Sequence, residues 1–449
     1  MAGYVGADGI RGKVSESLTV YKVFLTGRFI GALFRDAGSG KIVLGKDTRL
    51  SSDVLESAFA AGAAAQGCDV YLTGVVPTPV IAWLSGTQDF SGGAVITGSH
   101  NPFSDNGILL FNGEGKPIGE DEEQKLESYI GGFSSINYAD SESIGRIYPY
   151  PEGLDLYCDW LKNRIDLDLS GIRILADLAN GAAISTCARV LSSLGAEVVT
   201  RNDAPDGFNI NRNCGTFFPE AIRDEVVQNG YDYGLVFDGS ADRIVMMLKD
   251  GRILDGDQML YLILTAFHSL GKEGYDRTAL TVVSNSGTVK SLEKRGISVR
   301  ICRAGIRSLI NRMEEEQLIA GAENNGHIVL REFTMMPDSL VAALVVIKAE
   351  RDSGKTAAEL LEGLELKPYL FESIRVIMKS SVIEDAEVQE TVSQVLEQFG
   401  EHGRVILRAA VTEPVVRVLC EATDYDVCRQ GMERICEVIS RRFGIGDDL

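Results

Sequence analysis

The sequence predicts an α/β protein of four units, three built around mostly parallel sheets and a fourth that is α+β. Three observations carry this expectation. Short apolar runs of strand length alternate with helical stretches through most of the 449 residues. That alternation restarts after turn-rich or charged breaks near 148–153, 255–257 and 355–368. Beyond the last break it gives way to a different pattern. Strand–helix–strand alternation implies βαβ crossovers with helices on both faces of a sheet, and ligands then sit where strands run out into loops.

The elements follow in order. Lys41 to Lys46 reads as a strand, Leu55 to Ala65 as an Ala-rich helix, and Asp69 to Gly74 as the next strand, ended by Gly74 and the turn at Pro77-Thr-Pro79. The rhythm recurs at Ile172 to Asp177, Ala182 to Leu194 and Glu197 to Thr200. It recurs again at Ala279 to Ser284, Val289 to Arg295 and Ser298 to Cys302. In the last stretch Ile374 to Met378 alternates, Val388 to Phe399 is helical, Val405 to Arg408 and Val415 to Leu419 flank a loop, and a helix covers Val427 to Phe443. The pattern there suits an antiparallel sheet. The expected units are 1–150, 151–254, 255–365 and 366–449.

Charge and composition narrow the function classes. There are 44 Lys plus Arg against 64 Asp plus Glu, a net charge of −20. That disfavours nucleic acid and anionic membrane as partners, although a site on an acidic protein can still be locally basic. The start, Met1 to Val14, has no apolar signal core, and no apolar run reaches the ~18 residues of a membrane helix, so the expected compartment is the cytoplasm. Eight Cys without a Cys-x-x-Cys pair read as small buried hydrophobes. Trp83 and Trp160 read as core. His268 and His402 sit in settings that suit no ligand role. The Glu-rich runs Glu120 to Glu127 and Glu314 to Glu316 read as solvated helix faces.

Four segments carry candidate chemistry. Ile96-Thr-Gly-Ser99-His100-Asn101-Pro102 follows a short apolar strand and is followed by Asp105-Asn-Gly107. It offers a hydroxyl nucleophile beside groups that could accept its proton or stabilise charge, or simply an Asn-Pro turn. Leu235-Val-Phe-Asp238-Gly-Ser240-Ala-Asp242-Arg243 ends a strand in two carboxylates. In an extended loop, positions 238, 240 and 242 would share one side, a set suited to a hard cation held against phosphate; a solvated Asp-Gly turn is the plain alternative. Gly321-Ala-Glu323-Asn-Asn325-Gly-His327 could read sugar hydroxyls. Arg408-Ala-Ala-Val-Thr412-Glu-Pro-Val-Val-Arg417 could clamp a phosphate, because guanidinium forks match phosphate oxygens.

Taken together with Gly6-Ala-Asp-Gly-Ile-Arg11-Gly12 and Gly45-Lys-Asp47-Thr-Arg49, these segments resemble, in order and over nearly the whole chain, the α-D-phosphohexomutase superfamily. The similarity is greatest to its phosphoglucosamine mutase branch. The resemblance implies four domains around a central cleft, and interconversion of hexose or hexosamine 6-phosphate and 1-phosphate. In this branch the substrate implied is glucosamine 6-phosphate. It further implies a phosphoserine, a 1,6-bisphosphate intermediate and Mg²⁺, and it is compatible with a homodimer. By position, Ser99 would be the phosphorylated nucleophile, with Arg11 and His100 lining its site. Ser99, Asp238 and Asp242 would hold the metal, with Arg243 adjacent and Ser240 in the place of a third Asp. Glu323, Asn325, His327, Arg307, Arg408, Thr412 and Arg417 would bind the substrate.

Several positions depart from the family pattern. Leu109 stands where a Lys is usual, Ala410 and Val411 where Ser-Gly is usual, Ala241 in place of a Gly, and Ala7 in place of a Thr. Gly305-Ile306-Arg307 replaces Gly-Asp-Arg, and Asn325 replaces a Ser. Two readings follow: a working phosphosugar mutase, or a non-catalytic homologue that binds phosphosugars or has a regulatory role.

Overall fold

The computed structural model describes residues 5, 6, 9–35, 38–410 and 415–444. The phosphate-loop positions Val411 and Thr412, and Ala7, lie outside them. Among the described residues four sheets form. The first runs in the order Val5–Gly6, Gly9–Lys13, Asp105–Asn112, Gly92–Ile96, Lys41–Lys46, Asp69–Val75, Ile147–Pro149. Its last four strands are parallel and the others antiparallel, so the sheet is mixed. The central Gly92–Ile96 is buried along its whole length, as its unbroken apolar run requires when both faces are covered.

The second sheet places Ile253–Leu254, Ile244–Leu248, Tyr233–Phe237, Arg173–Asp177 and Glu197–Arg201 side by side, the last three parallel. The third orders Ser298–Cys302, Arg277–Thr281, Ala320–Ala322 and Ile328–Leu330. The fourth is the antiparallel sheet Tyr369–Arg375, Val415–Glu421, Arg404–Ala409.

Local chemistry explains where the elements depart from expectation. The expected helix from Ala182 breaks into a 3₁₀ turn, Ala182–Ser185, and a helix, Cys187–Ser193. Ser185 Oγ turns back onto the Ala182 carbonyl, a local bond that competes with the helix ladder. The strand expected to reach Ser284 ends at Thr281. Asn285 then caps the helix Ser286–Lys294 by accepting from the Gly287 N–H, the role an Asn at this position favours.

The chain packs into two compact bodies. One comprises residues 4–281 and 297–362 and contains the first three sheets. The other takes in residues 282–296 together with the chain from 363. Its core joins the antiparallel sheet to the helices Ala386–Phe399 and Tyr425–Phe443 through Val395, Val418, Cys428, Met432 and Ile435. In this second body Glu421 is fully buried. It accepts from the backbone N–H and hydroxyl of Ser286 and from Arg404, with Lys367 3.5 Å away.

Seven of the eight Cys are buried and all are free thiols. Trp83 and Trp160 stack with ring centres 5.0 Å apart. No helix among the described residues is long and apolar enough to cross a membrane.

Candidate active site

The chemistry-bearing loops leave the C-terminal ends of their strands: Asp47–Arg49 after Lys41–Lys46, Ser99 after Gly92–Ile96, Asp238 after Tyr233–Phe237, and Glu323 after Ala320–Ala322. All four belong to the larger body.

Ser99 is 1% exposed and left-handed, at φ +50°. A non-glycine residue holds that conformation only when its surroundings impose it. Here the imposing group is Arg49, a guanidinium that is 2% exposed. Its Nη2 donates to the carbonyls of Ser99 and Asn101, both at 2.8 Å, and its Nη1 to those of Asp105, at 3.0 Å, and Pro102. Asn211 Nδ2, from another loop, donates to the Ser99 and Asn101 carbonyls as well. The Arg49 charge is balanced by Asp47, 2.9 Å from Nε. Asp47 in turn accepts from Ser52, Thr97 and the Gly98 N–H. A side chain at Gly98 would run into the guanidinium, 2.8 Å from an added Cβ. The sequence reading gave Arg49, Asp47 and Asn211 no role. The Asp-Thr-Arg segment was visible as part of the resemblance, but its partners are backbone carbonyls some fifty residues away, which carry no sequence signal.

Clamped in this way, Ser99 Oγ donates to Asp238 Oδ2 at 2.7 Å and lies 3.3 Å from His100 Nδ1. The His100 ring meets Phe217 edge-on, with centres 5.3 Å apart.

The carboxylate loop is not extended. Ala241 takes φ +55° and its N–H bonds to the Asp238 carbonyl, so the chain turns tightly. Positions 238, 240 and 242 converge all the same. Ser240 Oγ lies between Asp238 Oδ2, at 2.9 Å, and Asp242 Oδ1, at 2.8 Å. It bridges the two carboxylates. Asp238 Oδ1 faces the N–H groups of Asp242 and Arg243. Burial raises the Asp238 pKa, and the neighbouring Asp242 adds to this. Burial opposes ionisation of Asp242 too, but the His327 hydrogen bond and charge, Arg243 and Ser240 prevail and hold it below the usual range.

The donor set here is all oxygen: two carboxylates and two hydroxyls, those of Ser99 and Ser240. That matches the hard-ligand preference of Mg²⁺, which is held by one or two carboxylates plus phosphate. Among the described residues no group of three His, Cys, Asp or Glu gathers as a metal cage, in keeping with Ser240 at the third carboxylate position.

The third loop sits against this pair. Glu323 is 4% exposed. Its Oε1 accepts from the Gly305 N–H at 2.8 Å and its Oε2 faces His327 Nδ1 at 3.0 Å. Gly305 has φ +118°, a conformation that needs glycine. Asn325 Oδ1 accepts from the His327 backbone N–H, which shapes the turn. His327 Nε2 receives Arg243 Nε at 3.1 Å and lies 3.6 Å from Asp242. Burial and Arg243 lower the imidazole pKa, while hydrogen bonds to Asp242 and Glu323 raise it further, to about 9. An imidazolium has no lone pair for Arg243, so protonation and the Arg243 bond exclude one another.

Arg307 opens the helix Ile306–Glu315, and its fork closes on Glu123 of the helix Glu120–Ile130 and on the Ile118 carbonyl. Glu123 was expected on a solvated face. It is instead largely buried against Arg307, 12% exposed against 13%. Glu314 likewise departs from a purely solvated face by pairing with Lys116. Arg11 lies in the strand Gly9–Lys13 opposite Gly107, and with Asp242 and His327 it lines one cavity. In the second body Arg408 and Arg417 are paired directly across the antiparallel strands, so both guanidinium groups share one face. Like charges in such a pair repel, and an anion between them would offset the cost.

Residues 2–134, 155–251, 255–366 and 374–438 match, in order, alpha/beta/alpha domains I, II and III and the C-terminal domain of phosphoglucomutase/phosphomannomutase. The chain is 36% identical over 442 residues to the phosphoglucosamine mutase of Desulforamulus reducens, covering 98% of this chain and 99% of the relative. It belongs to the phosphohexomutase family. The phosphoglucosamine mutase of Oceanobacillus iheyensis is 34% identical, with 99% of this chain and 100% of the relative covered. A phosphoglucomutase/phosphomannomutase family protein from Burkholderia thailandensis shares the phosphohexomutase fold at TM-score 0.80 and 22% identity, over 99% of this chain and all of that one. The Aspergillus fumigatus N-acetylphosphoglucosamine mutase, solved with GlcNAc-6P and magnesium, aligns at TM-score 0.65 and 15% identity, over 97% of this chain and 95% of that one.

Proposed function

We propose that this phosphohexomutase moves a phosphoryl group between O6 and O1 of a hexosamine or hexose phosphate through Ser99, with glucosamine 6-phosphate the substrate favoured by its relatives. The observation that carries the reading is the Ser99 hydroxyl. Arg49 and Asn211 hold the Ser99 backbone carbonyl, and the hydroxyl donates to Asp238 beside a second carboxylate. Phosphoryl transfer demands positioning and charge stabilisation more than covalent machinery.

In the first half-reaction a sugar hydroxyl oxygen bonds to the phosphorus on Ser99 and the Ser99 Oγ–P bond breaks; the second runs in reverse, with Ser99 Oγ bonding to the other phosphorus of the bisphosphate and that sugar O–P bond breaking, the proton passing from Ser99 to the sugar oxygen. In the first the hydroxyl loses the proton that Ser99 regains, so no further reactant is needed. His100 Nδ1, 3.3 Å from the Ser99 hydroxyl, would return that proton. The 1,6-bisphosphate formed turns around and gives back its other phosphate. Glu323, Asn325 and His327 form the loop that would orient the sugar. Arg408 and Arg417, with Thr412, are the groups suited to the distal phosphate. Asp238, Asp242 and the phosphate on Ser99 would hold Mg²⁺, which supplies neutralisation of the phosphoryl charge when bound.

The test is intact mass after incubation with glucose 1,6-bisphosphate and Mg²⁺. The chain should gain one phosphate and turn over glucosamine 6-phosphate, and Ser99→Ala should do neither. Leu109 favours a second reading, a non-catalytic phosphosugar binder, because an apolar side chain stands where the family carries a proton-transfer Lys. That reading predicts binding with no phosphate on Ser99.

A further inference from the structure

Two consecutive peptide groups of the carboxylate loop are each held at both ends. In the 240–241 peptide the Ser240 carbonyl accepts from the backbone N–H of Thr78, at 3.0 Å, and the Ala241 N–H donates to the Asp238 carbonyl, at 3.1 Å. In the 241–242 peptide the Ala241 carbonyl accepts from the Ser339 hydroxyl, at 2.5 Å, and the Asp242 N–H donates to Asp238 Oδ1, at 3.2 Å. Thr78 and Ser339 each open a helix, Thr78–Thr87 and Ser339–Ser353. The loop is therefore pinned by two elements remote from it in sequence.

Ala241 needs that support. It is 2% exposed and sits at φ +55°, a conformation that a residue other than glycine keeps only when its surroundings impose it. Ser339 supplies part of the hold from a side chain that is itself 1% exposed. Its hydroxyl fixes the carbonyl end of the 241–242 peptide, and the other end of the same rigid plane carries the bond to Asp238 Oδ1. A donor at the carbonyl also polarises the peptide and strengthens its N–H as a donor. Movement of that plane would re-aim Asp238 and Asp242 together.

We propose that Ser339 is a positioning residue for the divalent cation: through the Ala241 carbonyl it sets the peptide plane that keeps Asp238 and Asp242 converged, which rests on the mutase reading of this loop as the Mg²⁺ site.

Calorimetric titration of the full chain with Mg²⁺ alone tests this in the unaltered protein, Ser339→Ala, Ala241→Gly and the double variant. Alanine suits the first turn of a helix that Asp338 still caps, so Ser339→Ala should fold. It should weaken Mg²⁺ binding about fivefold to tenfold, the effect of one buried hydrogen bond. Glycine at 241 is at ease at positive φ and keeps the turn with less outside help. In that background Ser339→Ala should weaken binding by less than about twofold, a coupling that a general loss of stability would not produce. Undiminished Mg²⁺ binding by Ser339→Ala, or an equal loss in both backgrounds, overturns the role of Ser339 and leaves the cation site standing. No Mg²⁺ binding by the unaltered chain overturns both.

Discussion

The loop that carries Ser99 and the loop that carries Asp238 lie in contact, yet they are stabilised in opposite ways. Asp47, beneath the first, is a buried carboxylate with a buried guanidinium against it, and Arg49 spreads that charge over four loop carbonyls. Asp238, in the second, is as deeply buried, but its partners are two hydroxyls and two backbone N–H groups. The first loop is complete as it stands. In the second, burial and the neighbouring Asp242 raise the Asp238 pKa, with Arg243 opposing them. The Ser99 loop is thus held by charged side chains, while Asp238 is held by neutral donors.

Arg49→Ala tests the contrast most severely. It leaves Asp47 buried without its cation and should cost about 3–5 kcal/mol in urea unfolding, with loss of phosphate uptake on Ser99. Arg49→Lys should not restore the uptake, because an ammonium cannot reach four carbonyls and a carboxylate at once. Retained uptake in either variant would show that the loop is shaped by something else.

Asp338 calibrates the other side of the comparison. It caps the helix Ser339–Ser353 and accepts from Tyr157 at 2.5 Å. Burial raises its pKa from 3.8 to about 6, partly offset by the Tyr157 bond and the backbone N–H groups of Val341 and Leu340. The folded chain therefore holds this proton more tightly than the unfolded chain. The favourable contribution is full below pH 4 and is lost as pH rises through 6. Relative to Asp338→Asn, the unaltered chain should lose up to about 3 kcal/mol between pH 4 and pH 7. A gap between the two that does not move with pH would overturn the assignment.

Ser240→Asp should have the smallest effect and the most specific one. A third carboxylate should tighten Mg²⁺ binding about tenfold by calorimetry and lower the metal-free melting temperature, because three buried like charges repel. Unchanged affinity would mean that position 240 does not face the cation.

The fold was legible because it rests on local signals. Strand-length apolar runs announced the sheets, and Ser99, Asp238 and Asp242 lay in compact motifs. Three features were not legible, each for a physical reason. Arg49 acts on backbone carbonyls, which every residue possesses. Glu123 sits in an acidic run that reads as solvated, and its partner Arg307 is 184 positions away. The turn at Ala241 sets a non-glycine residue at positive φ, against its intrinsic preference. The carboxylates still converged as expected, since the Ser240 hydroxyl ties both to the turn.

The packing of Glu421 bears on how the molecule is made. The Glu421 carboxylate is satisfied by Ser286, which leaves the ribosome more than a hundred residues earlier. The C-terminal body is therefore assembled from two stretches of chain separated by residues 297–362. The helix Ser286–Lys294 must wait for its partners. A fragment cut at residue 363 would retain the antiparallel sheet and its two long helices, but it would expose a buried acid stripped of its Ser286 hydrogen bonds.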